Sequence, residues 1–86
     1  MREEFLKVRV FCSPLLGKEG YEGKAEAVSS ENKLGKFDIL PRHTNFITLI
    51  FNELTLHLSK ERKIVYHFKR GVLEVIENKV NIFLGI

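Results

Sequence analysis

The chain has 86 residues, enough for one small domain with a modest hydrophobic core. Hydrophobic residues make up 44% and charged residues 29%, a balance typical of folded soluble proteins that argues against disorder. The longest apolar run, Phe46 to Phe51, is far shorter than the roughly 20 residues that a membrane-spanning helix needs.

The charge distribution and the cysteine content indicate which class of partner and which cellular compartment to expect. Lys and Arg total 14 and Asp and Glu total 11, so the net charge is +3. The basic residues are scattered, whereas nucleic-acid-binding surfaces usually cluster them among exposed aromatic residues. We therefore expect a mixed solvated surface and no nucleic-acid partner. The single Cys12 fits a reducing compartment, and the first residues show no signal-peptide pattern.

The N-terminal segment has the period of a half-buried strand. From Phe5 to Cys12, apolar residues at even positions alternate with Lys7 and Arg9. Ser13-Pro14 ends this strand, because proline has no amide hydrogen for a sheet ladder.

The next segments predict three more strands. Tyr21 to Ser30 indicates two short strands separated by a bend or bulge at Gly23. Glu31 to Gly35 indicates a turn, and Phe37 to Leu40 a strand that Pro41 stops.

The second half of the chain predicts five strands. Phe46 to Phe51 is apolar on both faces, which favours a fully covered central strand. Asn52-Glu53 and Lys69-Arg70-Gly71 are typical of turns. Alternating apolar residues predict the other strands, which are Leu54 to Leu58, Ile64 to Phe68, Val72 to Ile76 and Val80 to Leu84.

These segments predict an all-β fold, a flattened β-sandwich or barrel of about nine to ten short strands forming a single domain over residues 1–86. Nothing in the pattern indicates catalysis, a cofactor or a metal. His57 and His67 lie on paired strands of a predicted hairpin, but a zinc site needs three or four ligands. Cys12 continues a buried face and is most simply a small hydrophobic residue.

Four stretches together resemble the N-terminal domain of the epsilon subunit of F-type ATP synthase, the delta subunit in mitochondrial naming. Leu6 to Pro14 is similar to the family's opening strand and its proline stop. Tyr21 to Val28 is similar to its y-x-G-x-a-x-x-V segment, and Gly35 to His43 to its G-x-x-G-I-L-P-x-H corner. Gly71 to Val80 is similar to its G-G-x-L-E-V-x-x-n-x-V ending. The stretches follow the family's order and spacing.

The resemblance implies a non-catalytic rotor subunit. Family members sit in the rotating central stalk, bind the gamma subunit and rest on the polar loops of the c-ring, coupling proton transport to ATP synthesis. We therefore expect gamma and the c-ring as partners, and a peripheral place on the cytoplasmic face of the bacterial inner membrane, ahead of the organellar equivalent. A stand-alone protein-binding β-sandwich outside the synthase is the alternative.

The resemblance also implies two contact zones. The loop from Asn32 to Asp38 matches the family's c-ring contact, and the end near His43 matches surface close to gamma. Ile39, Leu40 and Pro41 are expected to serve the fold alone. The candidate partner-binding residues are Asn32, Lys36, Phe37, Asp38, Arg42 and His43.

The chain departs from the family pattern at several of these positions. Lys36 stands where the family often has an acidic residue, Asp38 replaces a usual glycine, and Arg42 often corresponds to glycine or asparagine. Asn52 stands at a usual glycine and should tolerate a left-handed backbone. Because the chain ends at Ile86, directly after the last predicted strand, we expect no C-terminal helical hairpin in it.

Overall fold

A computed structural model of the chain describes residues 5–86. Within these residues the regular structure consists of seven strands and one short 3-10 helix, Pro14–Leu16. The strands are β1 (Leu6–Cys12), β2 (Tyr21–Ala25), β3 (Ala27–Asn32), β4 (Gly35–Ile39), β5 (Phe46–His57), β6 (Lys63–Ile76) and β7 (Lys79–Leu84). None of the described residues forms a helix long and apolar enough to cross a membrane.

All seven strands are hydrogen-bonded in the order β2-β1-β7-β6-β5-β3-β4. Every neighbouring pair is antiparallel except β1 and β7, which run parallel from Lys7 opposite Lys79 to Cys12 opposite Leu84. The first strand therefore lies between the second and the last, which joins the two ends of the chain in one layer.

A β-bulge divides the two long strands. Phe51 of β5 pairs with Arg70 of β6, but the next residue, Asn52, pairs with Phe68, so Lys69 has no partner in the register. The extra residue shifts the inward-facing positions of β6 from even numbers before the bulge to odd numbers after it. A bulge also bends and twists a strand. Both halves of β6 thus contribute to one core.

The bulge separates the sheet into two layers with a common core. One layer contains β2, β1, β7, the second half of β6 and the first half of β5; the other contains the remaining halves with β3 and β4. Tyr66 in the second layer donates a hydrogen bond of 3.1 Å to the Glu19 carbonyl, which lies between β1 and β2. Among residues 5–86, sixteen buried hydrophobic residues form the core, including the predicted Leu6, Val8 and Val10.

The all-β prediction is confirmed, but the count of nine to ten strands is wrong. Asn52-Glu53 and Lys69-Arg70-Gly71, both predicted as turns, lie inside β5 and β6. Polar residues and glycine favour both β-bulges and turns. Beyond a bulge the strand continues along the same partner, whereas at a turn the chain reverses direction. Asn52 adopts a positive φ of 74°, as expected for an asparagine at a usual glycine position.

Three smaller predictions are also wrong. The break between β2 and β3 falls at Glu26, while Gly23 pairs with Val8 inside β2. Leu40, expected in the core, is 56% exposed. The segment from Phe46 to Phe51 is covered on one face only, because Ile47 is 65% exposed and Leu49 46% exposed.

Gly71→Ala should destabilise the fold. An added Cβ would lie 2.6 Å from the Phe83 carbonyl oxygen and 3.3 Å from Ile50 Cγ1. Because the nearest atom belongs to the backbone, we expect a loss of about 1–3 kcal/mol in urea denaturation. Gly23→Ala is the control, since its nearest atom is the movable end of the Tyr21 side chain. Equal losses in the two variants would contradict this explanation.

Candidate partner-binding surfaces

The six predicted partner-binding residues do not form a single site. Asn32, Lys36 and Phe37 lie along the β3–β4 hairpin, whereas Arg42 and His43 lie in the corner that leads to β5. The β3–β4 turn and the corner thus lie at opposite ends of β4, and Phe37 lies between them.

The turn between β3 and β4, here called the β3–β4 tip, is the first zone. The Asn32 side chain accepts a hydrogen bond of 2.8 Å from the Leu34 amide and donates one of 3.3 Å to Thr48 Oγ1. Asn32 thus holds the turn against β5. Leu34 is 97% exposed, and Lys36, opposite Glu31, is also exposed. The tip therefore exposes one leucine, Leu34, and two lysines, Lys33 and Lys36.

Asp38 takes part in a hydrogen-bonded chain on the outer face of β4, β3 and β5. Ser29 Oγ donates to Asp38 Oδ1 over 2.6 Å and lies 2.8 Å from His57 Nε2. With its proton on Asp38, the serine oxygen accepts from the imidazole N–H. The serine stands between the other two groups, whereas a catalytic triad places the histidine there. This arrangement cross-links three strands and does not activate the serine.

The corner is fastened to the β6–β7 turn. The Arg42 amide donates a hydrogen bond to Asn78 Oδ1, and the Glu77 amide donates one of 2.9 Å to Asn45 Oδ1. Arg42 has a φ of 73°, which suits the glycine or asparagine that often occupies this position in the family. Its amide is held by Asn78, while its side chain is exposed.

Phe37 and His43 pack on the same aromatic ring. The ring centroid of Phe46 lies 6.1 Å from that of Phe37, in an edge-on arrangement, and 4.9 Å from that of His43. Both residues are half-buried, and His43 Nδ1 lies 2.8 Å from the Thr44 carbonyl oxygen. These contacts give the two residues a packing role at the start of β5.

The other histidines and the cysteine have local partners. His57 and His67 occupy the paired strands β5 and β6 as predicted, but His67 pairs with Glu53 and His57 with Lys63. Four residues of β5 therefore separate them. The Cys12 thiol donates to the Glu19 carbonyl over 3.8 Å. Burial raises the pKa of Cys12 more than the charge of Lys18 lowers it, which does not suit a nucleophile.

The structure also presents an apolar surface that the sequence analysis missed. Leu49 pairs with Val72, Val72 with Phe83, and Phe83 with Phe11, so four apolar side chains cross four adjacent strands in register. We call these four residues the apolar row. The two phenylalanine rings stack with centroids 5.1 Å apart. At the usual strand spacing, the row is about 14 Å long.

The signal for this row was present in the sequence. Phe11 points to the same side of its strand as Lys7 and Arg9, and Phe83 to the same side as Asn81. Each phenylalanine therefore lies on a polar strand face. An aromatic residue on such a face in two strands indicates a surface that is covered by a partner. Locating the row required the pairing of β1 with β7.

Comparisons with known proteins agree with this geometry. The family model of the ATP synthase delta/epsilon chain β-sandwich domain matches residues 17–84. A chain in the Euglena gracilis mitochondrial ATP synthase OSCP/F1/c-ring structure, in rotational state 1, superposes with a TM-score of 0.82 at 14% identity. A chain in the Tetrahymena thermophila mitochondrial ATP synthase central stalk/c-ring structure gives 0.75 at 10% identity.

These superpositions cover nearly all of this chain but a smaller share of the chains that it matches. They cover 98% and 100% of this chain, but only 52% of the Euglena chain and 67% of the Tetrahymena chain. This chain therefore spans about half the length of the first. At these identities the superpositions establish a common fold. A comparison with curated protein sequences finds no match.

Asn78→Ala should loosen the corner. Asn78 has a φ of 64° and supplies the acceptor for the Arg42 amide. Alanine removes the acceptor and resists the left-handed backbone, so we expect a loss of about 1–3 kcal/mol in urea denaturation. Asn78→Gly removes the acceptor alone and should lose less. If the glycine variant is at least as destabilised as the alanine variant, backbone conformation does not contribute.

Proposed function

We propose that this chain, which belongs to the ATP synthase delta/epsilon family, is a central-stalk subunit of an F-type ATP synthase. In this role it joins the gamma subunit to the c-ring and has no catalytic site of its own. Rotation passing through it couples proton transport to ATP synthesis. It is peripheral to the membrane, on the cytoplasmic face of a bacterial inner membrane or the equivalent organellar face.

The observation that carries the proposal is the apolar row on the outer face of a stiff sheet. The inner face of the same strands already packs in the core, so the row is not needed to fold the chain. Aligned apolar side chains with two stacked aromatic rings are typical of the centre of a protein interface. We assign this face to gamma.

The corner lies at the start of the same strand, but its packing is on the core face. His43 packs on Phe46, which pairs with the buried Val75, whereas Leu49 belongs to the outer face of β5. We therefore treat the corner as a contact zone separate from the apolar row. The six residues expected from sequence remain candidates, with Arg42 as the corner side chain most open to contact.

The β3–β4 tip is the surface that we assign to the c-ring. Leu34 and Lys36 project from a short turn that Asn32 braces against β5. A braced turn keeps its shape when it is loaded, as a contact to polar loops of a rotating ring requires. The positive charge of Lys36 suits loops that carry carboxylate or carbonyl oxygens.

Torque transfer needs a body that does not deform between its two contacts. Here the β5–β6 pair is shared by both layers, and the tip is hydrogen-bonded to β5. Close-packed interiors transmit strain with little compression. A load on the tip therefore reaches the apolar row through paired backbone.

Leu49→Glu should break the gamma contact. Placing a carboxylate in the apolar row should weaken gamma binding by at least about 30-fold, the effect of a hot-spot residue. Val65→Glu is the matched control. Val65 is 45% exposed, against 46% for Leu49, but it lies in the first half of β6, in the layer that does not carry the apolar row. The measurement is titration calorimetry with purified gamma from the same source.

The outcomes of that titration are distinct. Equal weakening by both variants would remove the assignment of gamma to the apolar row. A wild-type chain that binds neither gamma nor the c-ring would overturn the proposed function in favour of a stand-alone protein-binding sandwich.

Lys36→Glu should alter the c-ring contact. The change reverses the charge of an exposed side chain at the β3–β4 tip, and single exposed ion pairs are worth up to about 1 kcal/mol. In a reconstituted enzyme we expect the rate of ATP-driven proton pumping to change by roughly twofold to fivefold. Lys60→Glu, on the turn between β5 and β6, should leave it unchanged. An unaltered rate in the Lys36 variant would contradict the assignment.

A further inference from the structure

Three lysines lie side by side on the outer face of β2, β1 and β7. Lys7 is directly opposite Lys24 of β2 and directly beside Lys79 of β7, and all three side chains are exposed. We call them the lysine row. Like charges directly opposite each other destabilise a sheet. The isolated chain thus carries a repulsion that folding does not require.

The surface around the lysine row accounts for the whole net charge of the protein. An open groove of about 490 Å³ runs along it, lined by four basic residues and one acidic residue. The full chain has 14 basic and 11 acidic residues. The ten basic and ten acidic residues outside the groove therefore cancel. The charged lining residues are Lys7, Arg9, Glu22, Lys24 and Lys79.

Among residues 5–86, one of these four cations has a carboxylate partner. Arg9 Nε lies 3.9 Å from Glu22 Oε2, and its guanidinium lies 5.6 Å from the centroid of the Phe11 ring. The other ion pair among residues 5–86 joins Glu53 to His67. Within the described part of the chain, the lysine row therefore has no carboxylate partner, although the Lys24 ammonium lies 5.6 Å from the centroid of the Phe5 ring.

The lysine row and the apolar row share one surface. Lys7 and Phe11 are both on β1, and Lys79 and Phe83 are both on β7, so the same two strands carry both rows. Four residues separate the members of each pair, which corresponds to about 13 Å. A protein surface can cover both rows at once, whereas a small phosphate-bearing ligand would contact the lysine row alone.

We propose that the partner that docks on the apolar row presents a set of carboxylate side chains to Lys7, Lys24 and Lys79. This rests on the proposed function, in which that partner is gamma, and it adds the chemistry of the partner's surface. The apolar row holds the complex together. The lysine row orients the partner and accelerates its arrival, because charges at an interface rim act chiefly on the association rate.

The test compares two triple variants that lose the same charge. Lys7→Gln, Lys24→Gln and Lys79→Gln together remove the lysine row, and Lys60→Gln, Lys63→Gln and Lys69→Gln remove three exposed lysines elsewhere. Association with purified gamma is measured by stopped flow at low and high salt. We expect the row variant to associate about tenfold more slowly at low salt and to lose most of its salt dependence. The control should change less than about threefold.

Two further measurements make the result decisive. Removal of the row's repulsion should leave the Tm of the isolated variant equal to or above that of the wild type. Carbodiimide coupling of the wild-type complex should join the row's lysines to Asp or Glu of gamma, as mapped by mass spectrometry.

The outcomes separate this inference from the proposed function. Equal slowing of the two variants, or coupling at other lysines only, overturns the inference while gamma binding by the wild type upholds the function. No binding of gamma by the wild type overturns both. A wild-type chain that binds phospholipid vesicles or single-stranded DNA through the same lysines, and shows no coupling to gamma, overturns the inference in favour of that ligand.

Discussion

The fold depends on a single unpaired residue in the middle of its two longest strands. If Lys69 were paired like its neighbours, the alternation of β6 would run unbroken from even positions, and either Tyr66 and Phe68 or Leu73 and Val75 would face solvent. The bulge allows one continuous strand to contribute core residues to two layers. The two layers are therefore connected by backbone hydrogen bonds along β5 and β6. Two separate sheets would contact each other through side chains alone.

The bulge in β6 also explains why so small a chain has strand faces that the core does not use. The core is filled from one face of each strand, so the opposite faces are free to carry other residues. On the layer that contains β1 and β7, this face holds Phe11, Phe83 and the lysines. On the other layer it holds the Ser29–Asp38–His57 chain, which ties strands together. The outer face of the first layer thus exposes apolar and cationic groups, whereas that of the second is bridged by hydrogen bonds between its strands.

The sequence predicted features that depend on local chemistry. The alternation in β1 identified its buried face, because neighbouring side chains of a strand point in opposite directions wherever it lies. Residues around Asn52 and Lys69 were predicted as turns, because only the partner strand distinguishes a bulge from a turn. The apolar row was missed since it brings Phe11 together with Phe83, 72 positions later in the chain. That contact follows from strand order, which local periodicity does not encode.

The parallel pairing of β1 with β7 has a consequence for how the protein is made. Among the described strands, β1 pairs with β2 and otherwise only with β7, so the β1–β2 pair cannot join the rest of the sheet until synthesis reaches Leu84. Contacts between distant residues slow folding, and unpaired strand edges invite aggregation in the meantime. The layer with β3 and β4 can form before that. The stack of Phe11 on Phe83 forms only when β7 has paired with β1.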